Sequence, residues 1–129
     1  MADIGIQKKT ALTYDDALAR LPDLLKAEGF GVLTRIDVKE TLKAKIGVDF
    51  RRYQILGACN PQLAHQALSR IAEIGVMLPC NVVVYEADDG KATVIAVDPM
   101  QTLAAARPEL ASIAAEVQGR LRRVVEKLP

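Results

Sequence analysis

Residues 81–97 read Asn81-Val82-Val83-Val84-Tyr85-Glu86-Ala87-Asp88-Asp89-Gly90-Lys91-Ala92-Thr93-Val94-Ile95-Ala96-Val97, and this stretch decides the fold class. Asn81 to Tyr85 is β-branched and aromatic after its first residue, with no polar alternation, so it reads as a central strand apolar on both faces. Asp89-Gly90 is a strong hairpin signal, because tight primed turns need positive φ. Ala92 to Val97 is then the return strand. Strands alternating with helices would by themselves suggest parallel crossovers, but this hairpin requires at least one antiparallel pair.

Toward the N-terminus, Gly75-Val76-Met77-Leu78-Pro79 is an apolar connection, and Arg51 to Ala58 reads as a strand. The two are separated by a helix with Asn60 as its N-cap and Pro61 at its first position. Ala64, Ala67, Leu68 and Ile71 form the buried stripe of that helix, while Gln62, His65, Gln66, Ser69 and Arg70 fall mostly on its polar side. Before it, Asp37 caps a short helix, Val38 to Ile46, that stops at Gly47. Phe30 to Asp37 is a strand. Tyr14 to Glu28 is a helix by its apolar spacing, capped by Thr13, with Pro22 predicted to kink or split it. Ile4 to Lys8 is a short first strand.

Toward the C-terminus, Asp98-Pro99 opens a short helix through about Ala105. Arg107-Pro108 breaks it and starts the last helix, whose stripe is Leu110, Ile113, Ala114, Val117, Leu121, Val124, Val125 and Leu128. The order β-α-β-α-β-α-β-β-α-α predicts an α+β protein. The expected architecture is a two-layer sandwich with a mixed, mainly five-stranded sheet covered by helices, one domain over residues 1–129.

Composition narrows the function classes. Of 129 residues, 17 are basic and 16 acidic, so the net charge is +1 and no chain-wide pull toward nucleic acid or anionic membrane is expected. The total hides a distribution: residues 35–52 carry +3, residues 53–106 carry −3, residues 107–129 carry +2 and residues 1–34 carry −1. The basic stretch includes Lys39, Lys43, Lys45, Arg51 and Arg52, which reads as a solvated face; the Arg120, Arg122 and Arg123 cluster is the other basic group. A nucleic-acid reading ranks last, because aromatic residues are few and Trp is absent. The two Cys and one His are too few for a metal cage made only of those residues. Uncharged runs are too short to span a membrane, the N-terminus lacks a signal pattern, and the expected setting is the cytoplasm with reduced thiols.

The candidate chemistry lies in two turns. Cys59-Asn60-Pro61 sits where a strand enters a helix, and the helix N-terminus favours an anion or a thiolate. Gly57-x-Cys59-x-Pro61 partly resembles a nucleophile elbow, with Pro61 in place of the second glycine. His65 is a candidate base for Cys59. Pro79-Cys80-Asn81 mirrors the first turn. In a strict right-handed crossover the two cysteines would end up roughly 20 Å apart, at opposite ends of the sheet. If Glu73 to Pro79 ran extended it could span about 23 Å, returning Cys80 to the Cys59 end and gathering Cys59, Asn60, Cys80 and Asn81 into one polar pocket. Both geometries stay open. Gly29 and Gly31 do not make a dinucleotide fingerprint, no cofactor motif is present, and Asp15-Asp16 and Asp88-Asp89 are explained by a helix start and a hairpin turn.

Tyr53 to Pro61, together with Arg35-Ile36-Asp37-Val38-Lys39, Leu42-Lys43, Gly47-Val48-Asp49-Phe50, Gly75 to Glu86 and Asp98-Pro99, resembles the bacterial and archaeal family called domain of unknown function 302. The resemblance covers nearly the whole chain. It implies a small α+β fold, homodimers, and shared positions clustered at Cys59 to Pro61 and Pro79 to Asn81. It implies no activity, substrate, cofactor or catalytic residue. Two readings follow. One is a homodimeric ligand-binding or interaction protein, with a site at Cys59, Asn60, Pro61, His65, Pro79, Cys80 and Asn81. The other is a thiol-dependent enzyme or thiol/metal sensor using Cys59 and Cys80.

Overall fold

Asp89-Gly90 turns the chain between two antiparallel strands, β4 (Cys80–Glu86) and β5 (Lys91–Ala96), with Val83 opposite Ile95 and Val84 opposite Val94. Gly90 has φ +81°, the left-handed region that the turn requires. The computed structural model describes residues 3–129. Its other strands are β1 (Ile6–Thr13), β2 (Gly31–Asp37) and β3 (Tyr53–Cys59). The helices are α1 (Tyr14–Ala27), α2 (Val38–Ile46), α3 (Pro61–Arg70), α4 (Leu103–Ala106) and α5 (Ala111–Glu126), with 3-10 helices at Ala72–Met77 and Pro108–Leu110.

The α+β expectation holds, and the five strands form one sheet in the order β1-β5-β4-β3-β2. The sheet is not mixed: all four pairings are antiparallel. The reason lies in the connections. A parallel neighbour needs a crossover that runs the length of a strand, about 23 Å for seven residues. Helix α2 has nine residues and rises only about 13 Å, and α3 is followed by a 3-10 helix, so both links return at the end where they left. Only the α1 link travels far, carrying the chain from the β1 edge to the β2 edge.

One face of the sheet holds the core. Leu56, Val82, Val84 and Val94 are fully buried there against Ala17, Leu21 and Leu25 of α1 and Ile113, Ala114, Val117, Leu121, Val124 and Val125 of α5. The whole stripe of α5 is therefore spent on its own sheet. The opposite face is open: the alternate positions Ile55, Val83 and Ile95 remain partly exposed, and Ile36 is exposed. Helix α2 buries no residue at all.

Several local expectations change: Leu68, expected in the buried stripe of α3, is exposed. Strand β1 begins at Ile6 rather than Ile4 and runs on to Thr13. Helix α1 continues through Pro22, because Ala17 and Leu21 before it and Leu25 after it are anchored in the same core. Asp98-Pro99 opens a turn rather than a helix. The Asp98 carboxylate accepts from the Met100 backbone N–H at 2.9 Å and from Gln118 Nε2 at 3.0 Å, and α4 starts only at Leu103.

Candidate functional site

Strand β3 runs into the Cys59 turn, and β4 begins at Cys80 with Ala58 directly opposite it. The connection from Pro61 to Pro79 thus brings both turns to one end of the sheet. It does so with a 3-10 helix at Ala72–Met77 rather than an extended run, and the Leu78–Pro79 peptide is cis. Between the turns lies a hollow of about 30 Å³ lined by Cys59, Asn60, Pro79, Cys80, Leu63 and Phe30, and closed from below by α3 and α5 side chains.

The hollow is not the polar pocket that four converging polar residues would make, since its wall is almost wholly apolar. Strand alternation explains one absence: Cys80 points inward, so Asn81 is exposed on the open face opposite Gly57. The Asn60 side chain is occupied as a helix cap, its Oδ1 accepting from the Leu63 backbone N–H at 3.2 Å. Pro61 falls on an adjoining polar groove with Gln62, Gln66 and Arg120. His65 is exposed on α3 and is not part of the hollow's wall.

The two thiols differ. Cys59 is half-buried and Cys80 is 8% exposed, and both are free cysteines. Burial pushes the Cys80 thiol up to about 11, and the charge on neighbouring Cys59 adds to the shift. At neutral pH Cys80 is therefore a protonated thiol, whatever the pull of the α3 N-terminus.

Gly57 explains why the two turns pack so closely. A Cβ there would overlap Thr34 Oγ1 and lie 2.9 Å from Pro79 Cγ, so only glycine lets β2 and the Pro79 turn close over β3. Gly29, with φ +87°, does the same beside Asn60, where a Cβ would stand 2.9 Å from Nδ2.

A larger, open hollow of about 670 Å³ lies between α1 and α2, lined by Tyr14, Asp15, Asp37, Lys39, Arg52 and Gln54 among others. The sequence signals here were only a basic stretch and an acidic pair, neither pointing to a pocket. The structure shows what that stretch does. Arg52 bonds Asp15 at 3.1 Å and Glu86 Oε2 at 2.6 Å and lies over the Tyr14 ring at 4.7 Å. Lys43 pairs with Asp49, Arg51 with Asp88, and Lys39 Nζ donates to the Phe50 carbonyl. Much of the positive charge of residues 35–52 is thus answered within the chain. Burial raises the Tyr14 phenol above its usual value, with Asp37 adding to the shift.

No helix is long and apolar enough to cross a membrane, and no group of three or more His, Cys, Asp or Glu could hold a metal among the described residues.

A family model described as "Domain of unknown function DUF302" matches residues 6–128. The crystal structure of an uncharacterized conserved protein DUF302 from Bacillus stearothermophilus is similar at 33% identity and a TM-score of 0.89, over 99% of this chain and 100% of that chain. Among curated proteins, nothing matches.

Proposed function

This chain belongs to the DUF302 family, a domain of unknown function, and on that footing we propose that it is a homodimeric binding module holding a small guest between the Cys59 and Cys80 turns. The observation that carries the reading is the convergence of both turns on one apolar hollow. The hollow's size limits what it takes. A water needs on the order of 10–15 Å³ measured this way, whereas organic ligands occupy sites of roughly 300–1,000 Å³. At about 30 Å³ the site suits a guest of one or a few heavy atoms. Its only ionisable lining groups are two thiols, one of them held protonated, which favours binding over acid-base catalysis. Free thiols at this position suit a reducing, cytoplasmic setting.

The dimer reading is supported by the open sheet face. Five strands about 4.8 Å apart and about 23 Å long give a plane of roughly 550 Å², against about 800 Å² per partner in a standard interface. Exposed Phe50 extends the apolar face beyond the strands, where Phe50, Tyr53 and Tyr85 form an aromatic row.

Light scattering at micromolar concentration tests the dimer: the expected mass is that of two chains, falling to one in Val83→Asp, and a monomeric parent protein overturns it. Xenon pressure followed by NMR tests the guest site. Amide shifts are expected to concentrate at Ala58, Cys59, Leu78 and Cys80; shifts confined to the open face, or none, overturn it.

A further inference from the structure

We propose that the open hollow between α1 and α2 binds a small primary amine, with its ammonium group on Asp37 and a short alkyl stem along the wall. The sheet register makes the floor of the site. Asp37 stands directly opposite Gln54, and Gln54 opposite Val84. Paired strand residues share a face, so the alternation that buries Val84 also turns Asp37 and Gln54 toward the helix layer. Polar side chains thus hold two positions of the core face, where a hollow of about 670 Å³ opens. Sites for organic ligands run to roughly 300–1,000 Å³. None of its lining residues belongs to the Cys59–Cys80 hollow.

Asp37 gives the site its charge. Its Oδ1 caps α2, accepting from the Glu40 backbone N–H at 2.9 Å. Its second oxygen has no hydrogen bond, and the carboxylate no ion pair, among the described residues. A half-buried carboxylate without a counter-cation favours a positive guest. The cations of the wall are engaged elsewhere: Arg52 with Asp15 and Glu86, Lys43 with Asp49, and Lys39 with the Phe50 carbonyl. With four carboxylates against three basic groups, the wall keeps a surplus of negative charge. No group of three or more His, Cys, Asp or Glu among the described residues could hold a metal, so the fitting cation is organic.

Tyr14 is the independent observation. It is 4% exposed and lines the hollow, and its hydroxyl has no side-chain partner but Gln54 among the described residues. Burial raises the phenol, the Asp37 charge raises it further and Gln54 acts the other way, so the three groups stand together. An alkylammonium has three N–H donors, and Asp37 Oδ2, Gln54 Oε1 and Tyr14 Oη offer it three acceptors. Leu18, Ala44 and Val48 give the same hollow an apolar wall for the stem.

The test titrates the full chain with butylamine, 1-butanol and butyrate at neutral pH and constant ionic strength, followed by amide NMR. The amine is then charged, since alkylammonium groups lose their proton only near about pH 10. Butylamine is expected to shift the amides of Leu18, Asp37, Ala44 and Gln54 saturably, with a midpoint of about 1 mM. The neutral and anionic probes should bind at least about 10-fold more weakly. Asp37→Asn keeps the helix cap, because Asn caps as well as Asp, and should weaken butylamine at least about 10-fold. Tyr14→Phe should cost about 3-fold, and Glu40→Gln, on the exposed side of α2, less than about 2-fold. Thermal melts show whether a variant is folded; if Asp37→Asn is not, the three probes on the parent chain and Tyr14→Phe decide. Shifts that stay linear, equal binding of 1-butanol or butyrate, or an unchanged Asp37→Asn overturns the proposal. So does a Glu40→Gln loss as large as that of Asp37→Asn, which would mean diffuse attraction to acidic surface. Shifts confined to Ala58, Cys59, Leu78 and Cys80 would put the amine in the other hollow and overturn it too.

Discussion

Ala58 of β3 stands directly opposite Cys80 of β4. That one pairing joins two turns separated by twenty residues of sequence, and it makes their chemistry a shared question. It also sets the two thiols apart, because the inner position of Cys80 is dry and the strand-end position of Cys59 is not.

Labelling with a thiol reagent at pH 8 is expected to modify Cys59 first. With its thiol at about 11, only about 0.1% of Cys80 is thiolate at that pH, so it reacts fully only after denaturation. Mass spectrometry of a labelling time course checks this, and equal rates at both sites contradict it.

The same burial gives stability an alkaline limb. The folded-state thiol of Cys80 is raised from 9.0 to about 11, so its contribution is fully present below about pH 9 and is lost as pH rises through the folded value. Urea unfolding at pH 8 and pH 11 is expected to show a decline that Cys80→Ala flattens.

Glu28 gives the acid limb. Its carboxylate accepts from Arg123 Nε at 3.1 Å and faces Lys127 at 4.0 Å, tying the end of α1 to α5. The Arg123 hydrogen bond holds the carboxyl below its usual value. This contribution is present above the unfolded value of 4.5 and is lost as pH falls through the lower folded value. Glu28→Gln is expected to lower the melting temperature at pH 7 and to narrow the gap between pH 7 and pH 3.

Asn60→Ala removes the side-chain cap of α3 and is expected to cost about 1 kcal/mol, a fall of about 3–5 °C in melting temperature. Asn60→Gly loses less. Calorimetry distinguishes them, and an unchanged Asn60→Ala variant would show that the cap is not stabilising.

Gly57→Ala is expected to destabilise by about 1–3 kcal/mol, because its Cβ meets Thr34 Oγ1 and Pro79 Cγ. Thr34→Ala in the same chain removes the first clash and restores part of the loss. A double variant no more stable than Gly57→Ala contradicts this account of the contact.

Much of the architecture was legible in the chain because local physics writes it locally. The Asp89-Gly90 turn, the Asp37 and Asn60 caps, the stop at Gly47 and the stripe of α5 each depend on neighbours within a few residues, and all appear in the structure. Pro22 does not split α1, because a proline's local cost can be outweighed by core contacts on either side, and packing strength is not a local property. Asp98-Pro99 misled because Gln118, twenty residues on, takes part in holding the Asp98 carboxylate.

The sequence by itself determined that strands and helices alternate, that one hairpin is antiparallel, and that the two Cys turns merit attention. It could not decide whether those turns meet, since that depends on whether the Pro61–Pro79 link crosses the sheet or doubles back. Tertiary structure decided that, and with it the sorting of the candidates. Strand alternation sends Cys80 into the core side and Asn81 to the open face, while the helix cap takes Asn60's side chain and α3 leaves His65 exposed. Periodicity states that neighbours face opposite ways; only the packed sheet states which way is in.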